Sequence, residues 1–375
     1  MGWGMSDNTP TEIFLACVPG LEHLLCQEAT DAGFDTPRVV PGGVLTTGDR
    51  TEAMRANLVL RGASRVLLRI GGFPVFHLAQ LDKRSHKFPW AETLRPDLAV
   101  RVEVDCKRSK IYHAGAAAQR IKTAITETTG AQIAQDAPVL VRARIEDNFC
   151  TFSVDTSGEP LHRRGHKEAV GKAPLRETLA ALFLRACEYR GDVPIVDPMC
   201  GSGTFILEAA EIAAGLFPGR SRAFAFQDLA GFDPATWATL KDHTPQRRPE
   251  IRFHGSDRDA GAVRMASANA ERSGVAAYCD FSCAPISDLN PPEGPKGIVM
   301  VNPPYGARIG NKKLLFALYG ALGQTLKTRF RGWRLGMVTS EPSLARATGL
   351  NFAETSPPVP LGGLKIKLYQ TGPIA

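Results

Sequence analysis

The chain has 375 residues, 43% of them hydrophobic and 22% charged, with Lys plus Arg exceeding Asp plus Glu by 45 to 38. That length accommodates two or three domains with sizeable cores. No run approaches the apolar length of a membrane span and residues 1–10 lack the apolar centre of a signal peptide, so a cytoplasmic setting is expected, with Met5 as an alternative start. The eight cysteines form no Cys-x-x-Cys pair, and scattered thiols are expected rather than a disulfide framework or a metal site.

In chain order, the first half alternates short apolar runs with helical periodicity. Residues 13–18 read as a strand, and Leu21, Leu24, Leu25 and Ala29 follow at helical spacing. A strand is expected at residues 43–46, a helix through Ala53, Met54, Asn57, Leu58 and Leu60, and a strand at 65–70. The pattern continues with a strand at 99–104 and a helix carrying Ala114, Ala117, Ala118, Ile121 and Ile125 on one face. Strands at 139–145 and 149–155 flank Glu146-Asp147-Asn148, a hairpin turn. Between Arg101 and Lys122 six basic residues, Arg101, Lys107, Arg108, Lys110, Arg120 and Lys122, face two acids, Glu103 and Asp105. Such clustering suits phosphates, and a solvated helix face is the alternative.

Residues 156–172 read as a solvated basic linker. His162 and His166 are spaced to share a helix face, but Arg163, Arg164 and Lys167 beside them would repel a metal ion. Pro174 marks a helix start, with helical periodicity over 175–184. A strand over 193–197 then passes through Asp197-Pro198-Met199-Cys200-Gly201-Ser202-Gly203-Thr204 into a helix over 205–214, a nucleotide-type cradle. No Gly-Lys-Ser/Thr follows, which excludes the NTPase phosphate loop, and Ile206 fills the third Gly position of a dinucleotide fingerprint, which argues against a nicotinamide oxidoreductase. Asp197 instead suits a cationic or amine-bearing ligand.

Signals over 215–250 are weak. A strand at 251–256 ends in Asp257, placed either to take both hydroxyls of a ribose or to cap the helix expected at 260–272. Strands are expected at 277–282, 297–301, 334–339 and 364–369, and a helix through Leu314, Leu315, Leu318, Leu322 and Leu326. The strand at 297–301 runs into Asn302-Pro303-Pro304-Tyr305-Gly306. Two prolines cannot donate to a sheet ladder, so the backbone leaves the sheet rigidly after Asn302. The Asn302 side-chain oxygen and the Pro303 carbonyl are then two acceptors on a stiff frame, and Tyr305 offers a flat face for a heterocycle whose amine donates both hydrogens. A strand-ending turn with a packing tyrosine is the alternative.

The Gly loop, the Asp-ended strand and the Asn-Pro-Pro-Tyr turn, in this order, resemble the class I S-adenosylmethionine-dependent amino-methyltransferases from about residue 165 onward. Together with Gly42-Gly43-Val44, Leu161-His162-Arg163-Arg164-Gly165, residues 174–180 and Gly255-Ser256-Asp257, the whole chain resembles the THUMP-containing RNA methyltransferases, most closely the bacterial large-subunit rRNA guanine-N2 methyltransferases. The resemblance implies an α/β fold, with a Rossmann-like class I methyltransferase domain built on a mostly parallel twisted sheet at 161–375. An α+β ferredoxin-like part at 1–65 and a THUMP RNA-binding region at 66–160 would precede it. It further implies methyl transfer from S-adenosylmethionine to the N2 amine of a guanine in 23S rRNA, without a metal. Asp197, Pro198, Cys200, Gly201, Gly203, Thr204, Asp257 and Asn302 would surround the cofactor. Asn302, Pro303 and Tyr305 would hold the base, and Lys107, Arg108, Lys110, Arg120 and Lys122 the RNA. The Asp that such enzymes set against the adenine amine falls on Pro285, with Asp288 nearby. The second methylase module of the fused relatives has no counterpart, so a single methylation is expected. Guanine in tRNA, or adenine or cytosine in DNA, exposes the same kind of amine, and an RNA-binding assembly protein is the non-catalytic alternative.

Overall fold

The computed structural model describes residues 11–167, 175–306 and 312–375, so Pro174 and residues 168–173 lie outside it. The first elements are β1 (Thr11–Ala16), α1 (Glu22–Asp31), β2 (Asp35–Val40), β3 (Gly43–Gly48), α2 (Arg50–Val59) and β4 (Arg65–Pro74). They are followed by α3 (Leu78–Ser85), β5 (Val100–Lys107), α4 (Ala114–Thr129), β6 (Val139–Glu146) and β7 (Phe149–Asp155). These strands make one sheet in the order β2-β3-β1-β4-β7-β6-β5. β4 belongs to both halves of it, because Leu67 pairs with Phe14 of β1 on one side and with Asp155 of β7 on the other. Strand alternation buries Ile13, Leu15, Val66, Phe152 and Val154 on one face. The expected hairpin turn forms between β6 and β7, with Asp147 and Asn148 at φ 49° and 61°, the signature of a type I′ turn. β2 escapes sequence reading because it is an edge strand carrying Pro37 and no apolar alternation.

The remaining elements are α5 (Glu177–Ala186), β8 (Ile195–Asp197), α6 (Thr204–Ala213), α7 (Pro234–Asp242), β9 (Phe253–Asp257), α8 (Ala260–Ser273) and β10 (Cys279–Cys283). After them come β11 (Ile298–Val301), α9 (Lys312–Arg329), β12 (Arg334–Thr339), α10 (Pro342–Ala347), β13 (Glu354–Thr355), β14 (Val359–Leu361) and β15 (Leu364–Gln370). Their sheet runs β10-β9-β8-β11-β12-β15-β13, with β14 on β15; the strands from β10 to β12 are parallel and β15 is antiparallel to β12. Ile195, Val196 and residues 298–301 of β8 and β11 are buried, as central parallel strands covered on both faces must be. Two compact units result, and they interleave along the chain: Val18–Leu25 groups with the second, and Arg222–His243, including α7, with the first. Among the described residues no helix is long and apolar enough to cross a membrane.

One expectation is corrected. Within residues 162–167 Arg163 is exposed, but Arg164 is 2% exposed and His166 is buried, so these two are not part of a solvated linker. Arg164 Nε lies 2.9 Å from Glu208, His166 Nε2 lies 3.0 Å from Glu211, and Lys167 Nζ lies 2.8 Å from Glu177 and 2.7 Å from Thr204 Oγ1. The cause is α6, which turns Glu208 and Glu211 inward and therefore requires buried counter-charges.

Close helix packing behind the second sheet is testable at two glycines of α9. A Cβ at Gly323 would sit 1.9 Å from the Thr348 carbonyl oxygen, whereas one at Gly320 would meet nothing nearer than 3.8 Å. Gly323→Ala is expected to destabilise the protein in urea unfolding by about 1–3 kcal/mol, the usual cost of overpacking. Gly320→Ala should be neutral or stabilising by up to about 1 kcal/mol, from helix propensity.

Candidate active site

β9, β8 and β11 are adjacent and parallel, so their carboxyl ends lie on one edge of the sheet. Asp257 ends β9, Asp197 ends β8, and Asn302 follows β11. Open α/β sheets bind their ligands at such an edge.

The Gly loop after β8 is held from both sides. Cys200 N–H donates to the Ser256 carbonyl at 2.9 Å and Gly201 N–H to Asp257 Oδ2 at 3.1 Å, while Asn269 Nδ2 of α8 donates to the Ser202 carbonyl at 3.1 Å. Gly201 and Gly203 adopt φ of +53° and +86°, which side-chain-bearing residues rarely reach. Above Gly201 a Cβ would meet nothing within 4 Å, so the loop leaves open space there. At Gly255 a Cβ would press on Phe281 at 2.7 Å and on Cys200 at 3.2 Å, which is why β9 can approach the loop. Thr204 opens α6 and takes the Lys167 ammonium. Cys200 is buried and desolvation raises its thiol pKa, so it sits there as a neutral packing group.

Asp197 is 3% exposed, and its Oδ1 accepts from Met199 N–H at 3.0 Å. Burial pushes its carboxyl from the ordinary 3.8 up to about 8; the Met199 N–H opposes the shift and the neighbouring Asp257 charge adds to it. Asp257 Oδ1 accepts from Asp259 N–H at 2.9 Å. The cap of α8 is Asp259, which accepts from Gly261 N–H at 2.7 Å, so the capping alternative for Asp257 falls to its neighbour. A carboxylate has about four acceptor positions, and these two bonds leave others at Asp257 available.

At the turn after β11, Pro303 is buried and Tyr305 half-buried. Asn302 Oδ1 is buried without a hydrogen-bond partner among the described residues. A buried unsatisfied oxygen costs about 1–3 kcal/mol. Behind the turn stands Tyr319 of α9, fully buried, its hydroxyl 3.4 Å from the Pro304 carbonyl oxygen and 3.2 Å from Thr339 Oγ1 at the end of β12. Tyr319, Thr339 and Asn269 were not singled out from sequence. Asn269 carried the clearest signal, a polar residue on the face that Ala262, Ala266 and Ala270 bury.

Pro285 and Asp288 lie past β10 in exposed positions, and Asp288 accepts from Ser287 Oγ at 3.0 Å. The basic cluster lies in the first unit, and its charges are unequally engaged. Arg108 is 2.8 Å from Glu146 and 3.0 Å from Asp147, Lys107 is 3.9 Å from Glu146, and Arg120 is 3.8 Å from Asp82. Lys110 instead extends its ammonium to 5.5 Å from the Phe76 ring centre.

The chain is similar to known proteins. Residues 164–359 match the family described as RMKL-like, methyltransferase domain, and residues 12–67 match the RlmL ferredoxin-like domain. A Synechocystis protein described as RNA methyltransferase slr0064 is 31% identical over 373 residues, covering 96% of this chain and 97% of its own. Ribosomal RNA large subunit methyltransferase K/L of Chromohalobacter salexigens is 33% identical over 366 residues; the match covers 91% of this chain and 50% of that protein, so the chain spans half of this relative's length. The structure of a Listeria monocytogenes protein described as a predicted N6-adenine-specific DNA methylase superposes with a TM-score of 0.86 at 28% identity, covering 97% of each chain. That of SMU.472, described as a methyltransferase complexed with SAH, superposes with a TM-score of 0.84 at 25% identity, covering 98% of this chain and 99% of that one.

The buried Asp197 carboxyl has a consequence for stability. Its folded pKa of about 8 lies above the ordinary 3.8, so between these values the folded state holds a proton that the unfolded state has lost. Stability therefore falls as pH rises through that window. Asp197→Asn keeps the acceptor for Met199 N–H and removes the titration. Thermal unfolding without ligand should show the variant matching the parent near pH 4 and exceeding it increasingly toward pH 8.

Proposed function

The chain belongs to the RMKL-like methyltransferases, and on that premise we propose that it transfers a methyl group from S-adenosylmethionine to the exocyclic N2 amine of a guanine in large-subunit ribosomal RNA. The observation that carries this reading is Asn302 Oδ1, a buried acceptor without a partner among the described residues, on a turn stiffened by two prolines. An amine donor is what such an oxygen lacks. The match to an rRNA methyltransferase of Chromohalobacter salexigens and the ferredoxin-like match support RNA as the substrate. A ribosomal RNA target puts the work of the protein in the cytoplasm.

The residues at the strand ends fit the cofactor. Asp197 would hold the ammonium of its methionine end, the remaining acceptor positions of Asp257 the ribose hydroxyls, and the Gly201 backbone leaves the loop open for close approach. Bound there, S-adenosylmethionine supplies an electrophilic methyl group.

The chain's own work is to prepare the nucleophile. A purine amine is weakly nucleophilic because its lone pair is delocalised into the ring. Asn302 Oδ1 and the Pro303 carbonyl accept its two hydrogens and so free the lone pair, while Tyr305 replaces the stacking neighbour lost when the base leaves its helix. Alignment and fixed acceptors lower the barrier without a strong base. Tyr319 and Thr339 position the frame from behind. The Listeria structure, described as an adenine-specific DNA methylase, motivates a second reading in which the same turn takes an adenine amine.

Single-turnover methylation at saturating cofactor tests the assignment. Asn302→Ala is expected to slow transfer by about 10²–10³-fold, the scale of losing one preorganised hydrogen-bonding group, with far less change in cofactor affinity by calorimetry. Tyr305→Phe should keep most activity and Tyr305→Ala should lose about tenfold or more. An Asn302→Ala enzyme as fast as the parent would make the turn purely structural.

A further inference from the structure

The hairpin end of the first unit's sheet carries three exposed aromatic rings: Phe76 is 46% exposed, Phe149 44% and Tyr112 85%. The chain segments that carry them are tied together at one residue, Asn148. Phe149 follows it directly and is the cross-strand partner of Pro74, and Val75 N–H donates to the Asn148 carbonyl at 2.7 Å, which brings Phe76 alongside. Lys110 N–H donates to Asn148 Oδ1 at 2.9 Å, and Asn148 N–H donates to Ser109 Oγ at 3.0 Å, which ties in the loop leading to Tyr112.

The backbone under these rings is fixed. Ile111 is buried, His113 caps α4 by accepting from Ala116 N–H at 2.9 Å, and Phe76 N–H donates to Gln80 Oε1 at 2.9 Å. The rings are thus presented by an anchored frame, which lowers the ordering cost of using them.

Charge around the rings favours one kind of partner. Arg144 and Arg108 occupy the acids of the turn, Glu146 and Asp147, while Lys110 has no acidic partner among the described residues and lies over Phe76. On the open face of the same sheet Arg69 and Arg142 are paired with Glu12 and Glu103, so that face offers phosphates little net charge. Among the described residues of the first unit, the exposed large aliphatic residue is Val39, on the opposite edge strand of the sheet. Aromatic faces with an available cation match unpaired nucleotides better than an apolar protein surface.

We propose that Phe76, Tyr112 and Phe149 form a stacking platform for unpaired nucleotides of the substrate RNA, with Lys110 on a phosphate. It rests on the RNA reading above and adds to it the part of the RNA that the first unit selects, a single-stranded segment rather than a duplex.

Fluorescence anisotropy with the full chain, a stem-loop RNA bearing a large unpaired loop, and a blunt duplex of the same stem tests this. The triple variant Phe76→Ala, Tyr112→Ala, Phe149→Ala is expected to bind the stem-loop about tenfold or more weakly, with an unchanged salt slope and unchanged duplex affinity. Lys110→Gln should instead flatten the salt slope. Tyr112→Ala alone, at a side chain too exposed to be needed for folding, should show part of the loss. Stem-loop binding equal to the parent in both aromatic variants overturns the platform, as does an equal loss on stem-loop and duplex. A parent that binds stem-loop and duplex equally overturns the platform and leaves the RNA reading standing. A parent that binds neither overturns both.

Discussion

The methyl-transfer site proposed for this protein depends on the adjacency of β9, β8 and β11. Asp197 pairs with Gly255, and Val196 with Val299, so three strands that are far apart in sequence end together. A one-residue slip of any of them would turn its side chains to the opposite face of the sheet. The register is held where it matters most, at the loop, because the Gly201 N–H bond to Asp257 fastens the end of β9 to the turn after β8.

The site this creates is poorly satisfied as a piece of folded protein. It holds a carboxyl that burial keeps protonated up to about pH 8 beside a second carboxylate, and an amide oxygen with no partner among the described residues. Each lowers stability relative to a well-packed alternative. In the proposed reading a cofactor ammonium and a base amine would satisfy them, an exchange of stability for function that is usual at active sites. The buried pairs of Arg164 and His166 with α6 show the opposite solution in the same unit, where each inward carboxylate is matched by a cationic or titratable partner of the chain itself.

The parts of the site legible in the sequence are those written locally. The Gly loop, the Asp-ended strand and the double-proline turn each carry their meaning within a few residues, and β11, which leads into that turn, is a continuous apolar run. What sequence reading missed depends on distant partners. Arg164 and His166 look solvated until α6 is seen to point Glu208 and Glu211 at them. Lys107, Arg108 and Lys110 look like one basic cluster until acids of the β6–β7 turn engage the first two, while Lys110 lies over Phe76 beyond the end of β4. Asp257 read as a possible cap for α8, and the structure gives that place to Asp259. Tyr319 fits the apolar stripe of α9, and its hydroxyl gains meaning only when the Pro304 carbonyl lies in front of it.

The chemical identity of the product tests the account most directly. Large-subunit ribosomal RNA from a strain lacking this gene, incubated with the protein and S-adenosylmethionine carrying a labelled methyl group, would be digested to nucleosides and resolved by mass spectrometry. The account predicts label in N2-methylguanosine. Label in N6-methyladenosine, or an RNA left unlabelled by a protein that binds the cofactor, would contradict it.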